Sequence, residues 1–325
     1  PLGHPRRRGY RARMSTPARP SIIIDCDPGH DDAIAIVVAA CHTDVVGITT
    51  VNGNAPLSAT TRNAIIMRDL LGMSAPVHSG AEVPFMRPAK HADYVHGVSG
   101  MDGADLPEPS GPPASTDAVG FIIDTCRANE GAWLVPTGPL TNIGLALRAA
   151  PDLAGRIAGI SLMGGGTFGN RTAAAEFNIW CDPEAADIVF SYGGPLIMSG
   201  LDLTHQFQAL PHRIDMVRPI PGRLAHALVG LLEFFSGTYT SRHHGIGGAP
   251  VHDPLAVMAL THPQLFTTRT AHITVETAGT RTLGMTVIDQ RDLKEVLPGN
   301  CTLQTHVDAD AAWQVVVDAI AHFSR

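Results

Sequence analysis

Short apolar runs alternate with longer stretches of helical periodicity through the first two hundred residues. IIID (22–25) predicts a strand and DDAIAIVVAACH (31–42) a helix. DVVGITTV (44–51) is a second strand, and SATTRNAIIMRDLLG (58–72) carries the next helix. GAWLVPT (131–137) leads into LTNIGLALRAA (140–150), and GISLMGG (159–165) is followed by the helical DPEAADIVF (182–190). There Asp182 has the character of an N-cap, with Pro183 in the first turn. PLIMSGLD (195–202) is one more strand. The pattern is mainly helical from about 205 to 260, HITVETAGTRTLGMTVID (272–289) predicts two strands joined at Ala278-Gly279-Thr280, and ADAAWQVVVDAIAHF (309–323) is a closing amphipathic helix. Such alternation predicts an α/β fold: a single domain over residues 21–325, with a mixed, mostly parallel central sheet flanked by helices. The Pro-, Gly- and His-rich stretch 78–117 is too long and irregular for a simple connection, a length that tends to go with function. No internal repeat or low-complexity tract interrupts the chain.

The first strand ends against four aspartates, Asp25, Asp27, Asp31 and Asp32. Alternation in a strand puts Asp25 and Asp27 on the same side, Pro28-Gly29 turns the chain, and Asp31-Asp32 open the next helix, whose dipole favours negative charge. One or two such residues would be a cap and a solvated turn. Four beside a buried strand repel one another unless something positive lies among them. No Lys or Arg is near in sequence and no His/Cys ligand spacing is present, so an all-oxygen site for a hard cation, calcium or magnesium rather than zinc, is expected. An apolar strand followed by Asp-x-Asp also opens the haloacid-dehalogenase-like phosphatases, but their Thr or Val two residues after the second Asp is here Gly29, and Asp31-Asp32 would be left unexplained.

Composition narrows the class. The chain has 325 residues, 44% of them hydrophobic and 16% charged, with a net charge of −7. The body has no basic stripe, which argues against a nucleic-acid partner, and no window approaches a membrane span. The one basic run, Arg6 to Arg13, has no apolar stretch after it; residues 1–20 are expected to be a disordered leader or cloning remnant, with Met14 a candidate start. Five scattered cysteines without CxxC spacing fit a reduced, cytoplasmic protein.

The stretch DCDPGHDDAIA resembles the DxDxxxDD signature of the nucleoside N-ribohydrolases, the inosine-uridine-preferring type and its pyrimidine-preferring relatives. ITTVNGN (48–54), VPTGPLTN (135–142), LMGGGTFGNRTAAAEFN (162–178) with DPEAA after it, PVHDP (250–254) and LGMTVID (283–289) resemble further segments of that family in matching order. The resemblance implies a tightly held Ca2+, a ribonucleoside substrate, and a homodimer or homotetramer. It implies that Asp27, Asp32, Asp253 and the carbonyl of Thr137 bind the metal, and that Asp31 binds a ribose hydroxyl. Asn54, Asn170, Glu176 and Asn178 match ribose-binding positions, with Met163 and Phe177 alongside, and His96 resembles a loop histidine near the base. Asp25 matches a signature position that supports the loop.

The chemistry suits these residue types. Cleaving an N-glycosidic bond passes through a ribosyl cation resembling an oxocarbenium ion. A cation that lowers the pKa of water and a carboxylate that takes its proton both help, and Asp27 can serve as ligand and base. His252 is the family-matched acid for the leaving base, against the alternative that it only orients Asp253. Met163 and Phe177 could equally be core residues, and a lone loop histidine such as His96 is more often a surface residue. Cys26 and Cys181 have the character of inert packing. LMGGGTFGN lacks the GKS/T of a phosphate loop and is better suited to backbone approach to a sugar. His30 at the variable signature position, Asn52, Tyr239, His243 and His244 receive no role, and base preference stays open. The expected activity is calcium-dependent hydrolysis of ribonucleosides to ribose and free base. A magnesium phosphatase and a non-catalytic nucleoside- or ribose-binding protein are the alternatives.

Overall fold

A computed structural model of the chain describes residues 19–242, 245–291 and 297–324; the basic leader, His243 and His244 lie outside the described residues. The strands are β1 (Ser21–Cys26), β2 (Asp44–Thr50), β3 (Val77–Ser79), β4 (Trp133–Pro136), β5 (Gly159–Met163), β6 (Leu196–Ser199), β7 (Phe266–Ala271), β8 (Ile273–Val275), β9 (Thr286–Ile288) and β10 (Cys301–Val307). Eight of them form one sheet in the order β3-β2-β1-β4-β5-β6-β10-β7, parallel throughout except that β7 runs against β10. The helices, in chain order, are α1 (His30–His42), α2 (Leu57–Leu70), α3 (Asp93–His96), α4 (Ala118–Ala128), α5 (Thr141–Ala149), α6 (Phe177–Cys181), α7 (Pro183–Phe190), α8 (Leu201–Thr204), α9 (Pro211–Val217), α10 (Arg223–Arg242), α11 (Pro254–Thr261) and α12 (Ala309–Phe323).

The three isoleucines of β1 divide between two cores. Ile22 and Ile24 enter the layer built with α1, α10, α11 and α12, while Ile23 faces the layer built with α4, α5 and α7. That is the period-two alternation of a strand buried on both faces. α1 is apolar all round, AIAIVVAA, and every residue from His30 to Ala39 is buried. A helix without a polar stripe has to be covered on more than the sheet side, and α11 and α12 pack against it. No helix among the described residues is long and apolar enough to cross a membrane.

The strand order runs outward from β1 in one direction and from β4 in the other. The crevice beyond the C-terminal ends of β1 and β4 is therefore the switch point at which ligands of open α/β sheets bind.

The observed elements depart from the sequence pattern at four places. β3 lies at the start of the irregular 78–117 stretch, which also contains the single turn α3. β7, FTTRTA, is a polar edge strand with no apolar signature, and β10, CTLQTHV, interleaves polar and apolar residues. α4, AVGFIIDTCRA, is a further helix on the β4 face. The two strands expected over 272–289 are present as β8 and β9, antiparallel, but ten residues link them rather than a tight turn at Ala278-Gly279-Thr280.

Asp182 caps α7 as its position predicts, and it does more. Its Oδ1 accepts from the Ala185 amide at 3.1 Å, and its Oδ2 accepts from Thr141 Oγ1 at 2.7 Å and from the Phe85 amide at 3.0 Å. One buried carboxylate thus ties α7, the start of α5 and the 78–117 segment together. Asp182→Ala is expected to cost about 2–3 kcal/mol, more than a simple cap, because two further donors lose their acceptor; urea denaturation measures it, and a loss under about 0.5 kcal/mol would contradict the shared role.

Candidate functional site

The turn after β1 and helix α1 carry the floor of the site. Asp27 leaves the strand end, and its Oδ2 accepts the Asn54 amide at 2.6 Å. Its other oxygen, Oδ1, is buried with no partner. Gly53 and Gly138 press on this carboxylate: a Cβ added at either would lie 1.9 or 2.5 Å from its oxygens. Asp32 accepts from the Gly29 amide at 2.9 Å, from Thr137 Oγ1 at 2.8 Å and from Asn54 Nδ2 at 3.2 Å. The carboxylate of Asp31, one residue before it, accepts from the His252 amide at 3.3 Å.

Oxygens of Asp31, Asp32 and Asp253 lie within 4.8 Å of one another, so these three could hold a metal ion. Asp31, expected on a ribose hydroxyl, is thus part of the acidic cluster. Asp27 stands at its edge rather than in the convergent trio. Asp25 is separate: its Oδ1 accepts from Thr49 and from Asn142 of α5 at 2.6 and 2.8 Å, which ties β1 to β2 and α5.

Burial and mutual repulsion set the electrostatics. Burial lifts Asp25 to about 7, and burial together with the Asp32 charge lifts Asp31 to about 7. Asp27 and Asp253 are pushed well above the ordinary carboxylate range, first by burial and then by neighbouring aspartates; burial also raises Asp32. Like charges some 4–5 Å apart repel by on the order of a few kcal/mol even at an effective dielectric near 20. A hard divalent cation would remove that repulsion and occupy the open valence of Asp27 Oδ1, so the donor set fits one.

A second wall comes from the segment between β5 and α7. Glu176 is buried, with Oε1 accepting from the Asn178 amide and Oε2 from the amides of Gly165 and Ile179. Gly165 adopts φ +73°, a left-handed turn open to glycine. Asn178 Nδ2 donates to the carbonyl of Thr137 at 2.8 Å and to that of Met163 at 3.3 Å, and Asn170 Oδ1 accepts the Phe177 amide. Met163 and Phe177 are almost fully buried, yet both reach the cavity.

These groups enclose a cavity of about 270 Å³. Asp31, Asn54, Thr137, Met163, Asn170 and Glu176 line it. So do Phe177, Asn178, His96, His252 and Asp253, whereas Asp27 and Asp32 lie beneath the lining. The far side is formed by α3 and α10. His252 Nδ1 is 2.7 Å from Thr204 Oγ1, and burial with His205 nearby holds the imidazole well below its usual pKa. His96, buried rather than on the surface, is 3.0 Å from His30, and burial lowers both; His30 falls to about 4. Phe235, Tyr239 and Ala249 form a small apolar cluster of their own with Val95 and Ile246. At the mouth, the Arg242 guanidinium lies 4.8 Å from the centre of the Tyr94 ring.

Tyr94, Val95, Phe235 and Arg242 carry no signal of their own in the sequence. Phe235, Tyr239 and Arg242 are spaced to share one helix face, but that spacing equally describes core packing. Asn52 lies outside the cavity lining. All five cysteines are free, and Cys26 and Cys181 are buried.

The raised carboxylates predict how metal-free protein responds to pH. From about pH 4 to about pH 7 the native Asp25 and Asp31 still hold protons that the unfolded chain has released, so stability falls as pH rises. In chelator, the unfolding temperature should therefore drop across this window, and added calcium should raise it most at the alkaline end. Thermal unfolding with and without calcium checks this; a calcium shift absent or largest at the acidic end would contradict a cation among these groups.

The profile of the family described as "Inosine-uridine preferring nucleoside hydrolase" matches residues 22–314. The pyrimidine-specific ribonucleoside hydrolase RihA of Shewanella sp. (strain MR-7) is 43% identical over 308 residues, covering 93% of this chain and 96% of that protein. RihA of Escherichia coli (strain SMS-3-5 / SECEC) is likewise 43% identical over 308 residues, covering 93% of this chain and 99% of its own. Among solved structures, the purine-preferring ribonucleoside hydrolase from Gardnerella vaginalis superposes with a TM-score of 0.87 at 32% identity, covering 94% of this chain and 99% of that one. With its eight-stranded sheet and an acidic crevice at the switch point, this chain belongs to the inosine-uridine preferring nucleoside hydrolase family.

Proposed function

We propose that this enzyme is a calcium-dependent hydrolase of the N-glycosidic bond of ribonucleosides, with pyrimidine ribonucleosides preferred. The observation that carries the reading is the partnerless Asp27 Oδ1 beside three convergent carboxylates, beneath a cavity walled by amides and carboxylates. The pyrimidine preference draws on the names of the relatives at 43% identity. Asp27, Asp32, Asp253 and the carbonyl of Thr137 would hold the cation, with Asp31 close by. When bound, a divalent cation makes an adjacent water more acidic.

Asp27, as ligand and base, would accept a proton of that water. Asp31, Asn54, Asn170, Glu176 and Asn178 grip the ribose hydroxyls and fix the anomeric carbon for attack. Ionised Asp31 and Glu176, both in the cavity lining, would stabilise the positive charge that develops on the ring. With Nδ1 2.7 Å from Thr204 Oγ1, His252 has Nε2 left to face the departing base, and it would act as acid in its imidazolium form, which burial disfavours in the free site. The same reading includes a cytoplasmic location, in keeping with the free cysteines, and homo-oligomeric assembly.

A turnover panel of uridine, cytidine, inosine, adenosine and guanosine, read as released reducing sugar, tests the reading. Tight ribose binding by calcium-replete protein without turnover would instead identify a binding protein. Asp27→Ala should lower uridine turnover by about a thousandfold or more, since proton acceptor and ligand vanish together; a loss under about tenfold would contradict the dual role. His252→Ala should slow uridine by about a hundredfold and a nitrophenyl riboside far less. Equal losses on both substrates would remove the acid role.

A further inference from the structure

The glycine triplet 164–166 after β5 does not line the cavity, so its role is not the close approach to a sugar that its sequence suggests. Gly165 turns the chain at φ +73°, and a Cβ there would lie 2.7 Å from both Thr286 Cγ2 and Met198 Cε. The backbone of this turn is fully paired, as buried backbone has to be. The Gly165 amide donates to Glu176 Oε2 at 3.0 Å, and the Gly165 carbonyl accepts the Leu201 amide at 2.8 Å. Both polar groups of Gly166 go to one side chain. Its amide donates to Thr286 Oγ1 at 2.9 Å, and its carbonyl accepts from the same hydroxyl at 2.8 Å. Thr286 is buried at the start of β9, opposite Val275 of β8, and Ile273 and Val275 of β8 enter the core shared with α5 and α7. One hydroxyl thus ties the turn that holds Glu176 to a strand pair outside the main sheet.

We infer that Thr286 is a positioning residue for the sugar site: its hydroxyl straps Gly166 in place, so that the adjoining Gly165 amide keeps Glu176 aimed into the cavity. The strap consists of protein atoms alone; that Glu176 meets a ribose rests on the nucleoside hydrolase reading. Glu176 is the N-cap of α6, and the amides of Asn178 and Ile179 that it accepts belong to that same short helix. Those two donors move with Glu176 and cannot register it against the sheet. The Gly165 amide can, because it follows directly from β5. Thr167, the next residue, donates its amide to Asp202 Oδ2 at 2.8 Å. Loss of the Thr286 hydroxyl therefore loosens this turn without releasing the loop from the fold, and it leaves the Gly166 amide and carbonyl buried without their partner.

Thr286→Val keeps the side-chain shape and removes the hydroxyl, whereas Thr286→Ser keeps the hydroxyl. Hydrogen exchange of calcium-replete full-length protein, read by mass spectrometry on peptides covering 164–177, tests the strap without any ligand. Exchange there should be about tenfold faster in Thr286→Val and return to the wild-type rate in Thr286→Ser. Kinetics test what the strap serves. Thr286→Val should raise KM for uridine and the inhibition constant of free ribose by the same factor, about tenfold, the equivalent of one hydrogen bond. The value of kcat should stay within about twofold, because the grip on the sugar is loosened equally before and during reaction. Serine should restore both constants. Unchanged exchange in Thr286→Val, or a serine variant as impaired as the valine one, overturns the inference, since packing would then be all that Thr286 supplies. Faster exchange with KM and ribose inhibition unchanged overturns it as well. Faster exchange in a protein whose wild type neither turns over nucleosides nor binds ribose would uphold the strap and count against the ribonucleoside reading instead.

Discussion

Repulsion among buried carboxylates is the constraint on which the rest of this molecule depends. Asp25, Asp27, Asp31, Asp32 and Asp253 are all at most 4% exposed, and burial raises every one of them. Such an arrangement is stable only if the surrounding chain supplies donors and holds the groups in register. The donors are largely backbone and side-chain amides of loops at the sheet edge: Gly29, Asn54 and His252 give amide protons, and Thr137 gives a hydroxyl. The two-sided burial of β1 and the full enclosure of α1 follow from the same need, because both elements must hold their charged ends still.

Much of this was legible in the sequence, for physical reasons. β1, β2, β4, β5 and β6 are central parallel strands, and continuous apolar runs are the signature of strands covered on both faces. The aspartate cluster was visible because charge beside an apolar run is costly without a counter-ion. β7 was not, since an edge strand needs no apolar run and FTTRTA has none, and β10, paired on both sides by β6 and β7, interleaves polar and apolar residues in CTLQTHV and so has no continuous run either. The alternation invoked for Asp25 and Asp27 stops short of Asp27, because β1 ends at Cys26, and the two carboxylates accept from different neighbours.

The wall built by α3 and α10 was the least legible part. Its residues come from α3 and α10, far apart in sequence, and each alone has the character of ordinary packing. His96 illustrates the difficulty. A loop histidine in a Gly-rich stretch has no distinguishing neighbours until the fold brings His30 against its ring.

The small cluster of Phe235, Tyr239 and Ala249 with Val95 and Ile246 stands apart from the two large cores that flank the sheet. Cohesion on that side of the crevice is consequently local. Substitutions there can reshape that face of the cavity while the acidic floor, anchored in β1 and α1, keeps its alignment, so the two sides of the crevice can drift independently.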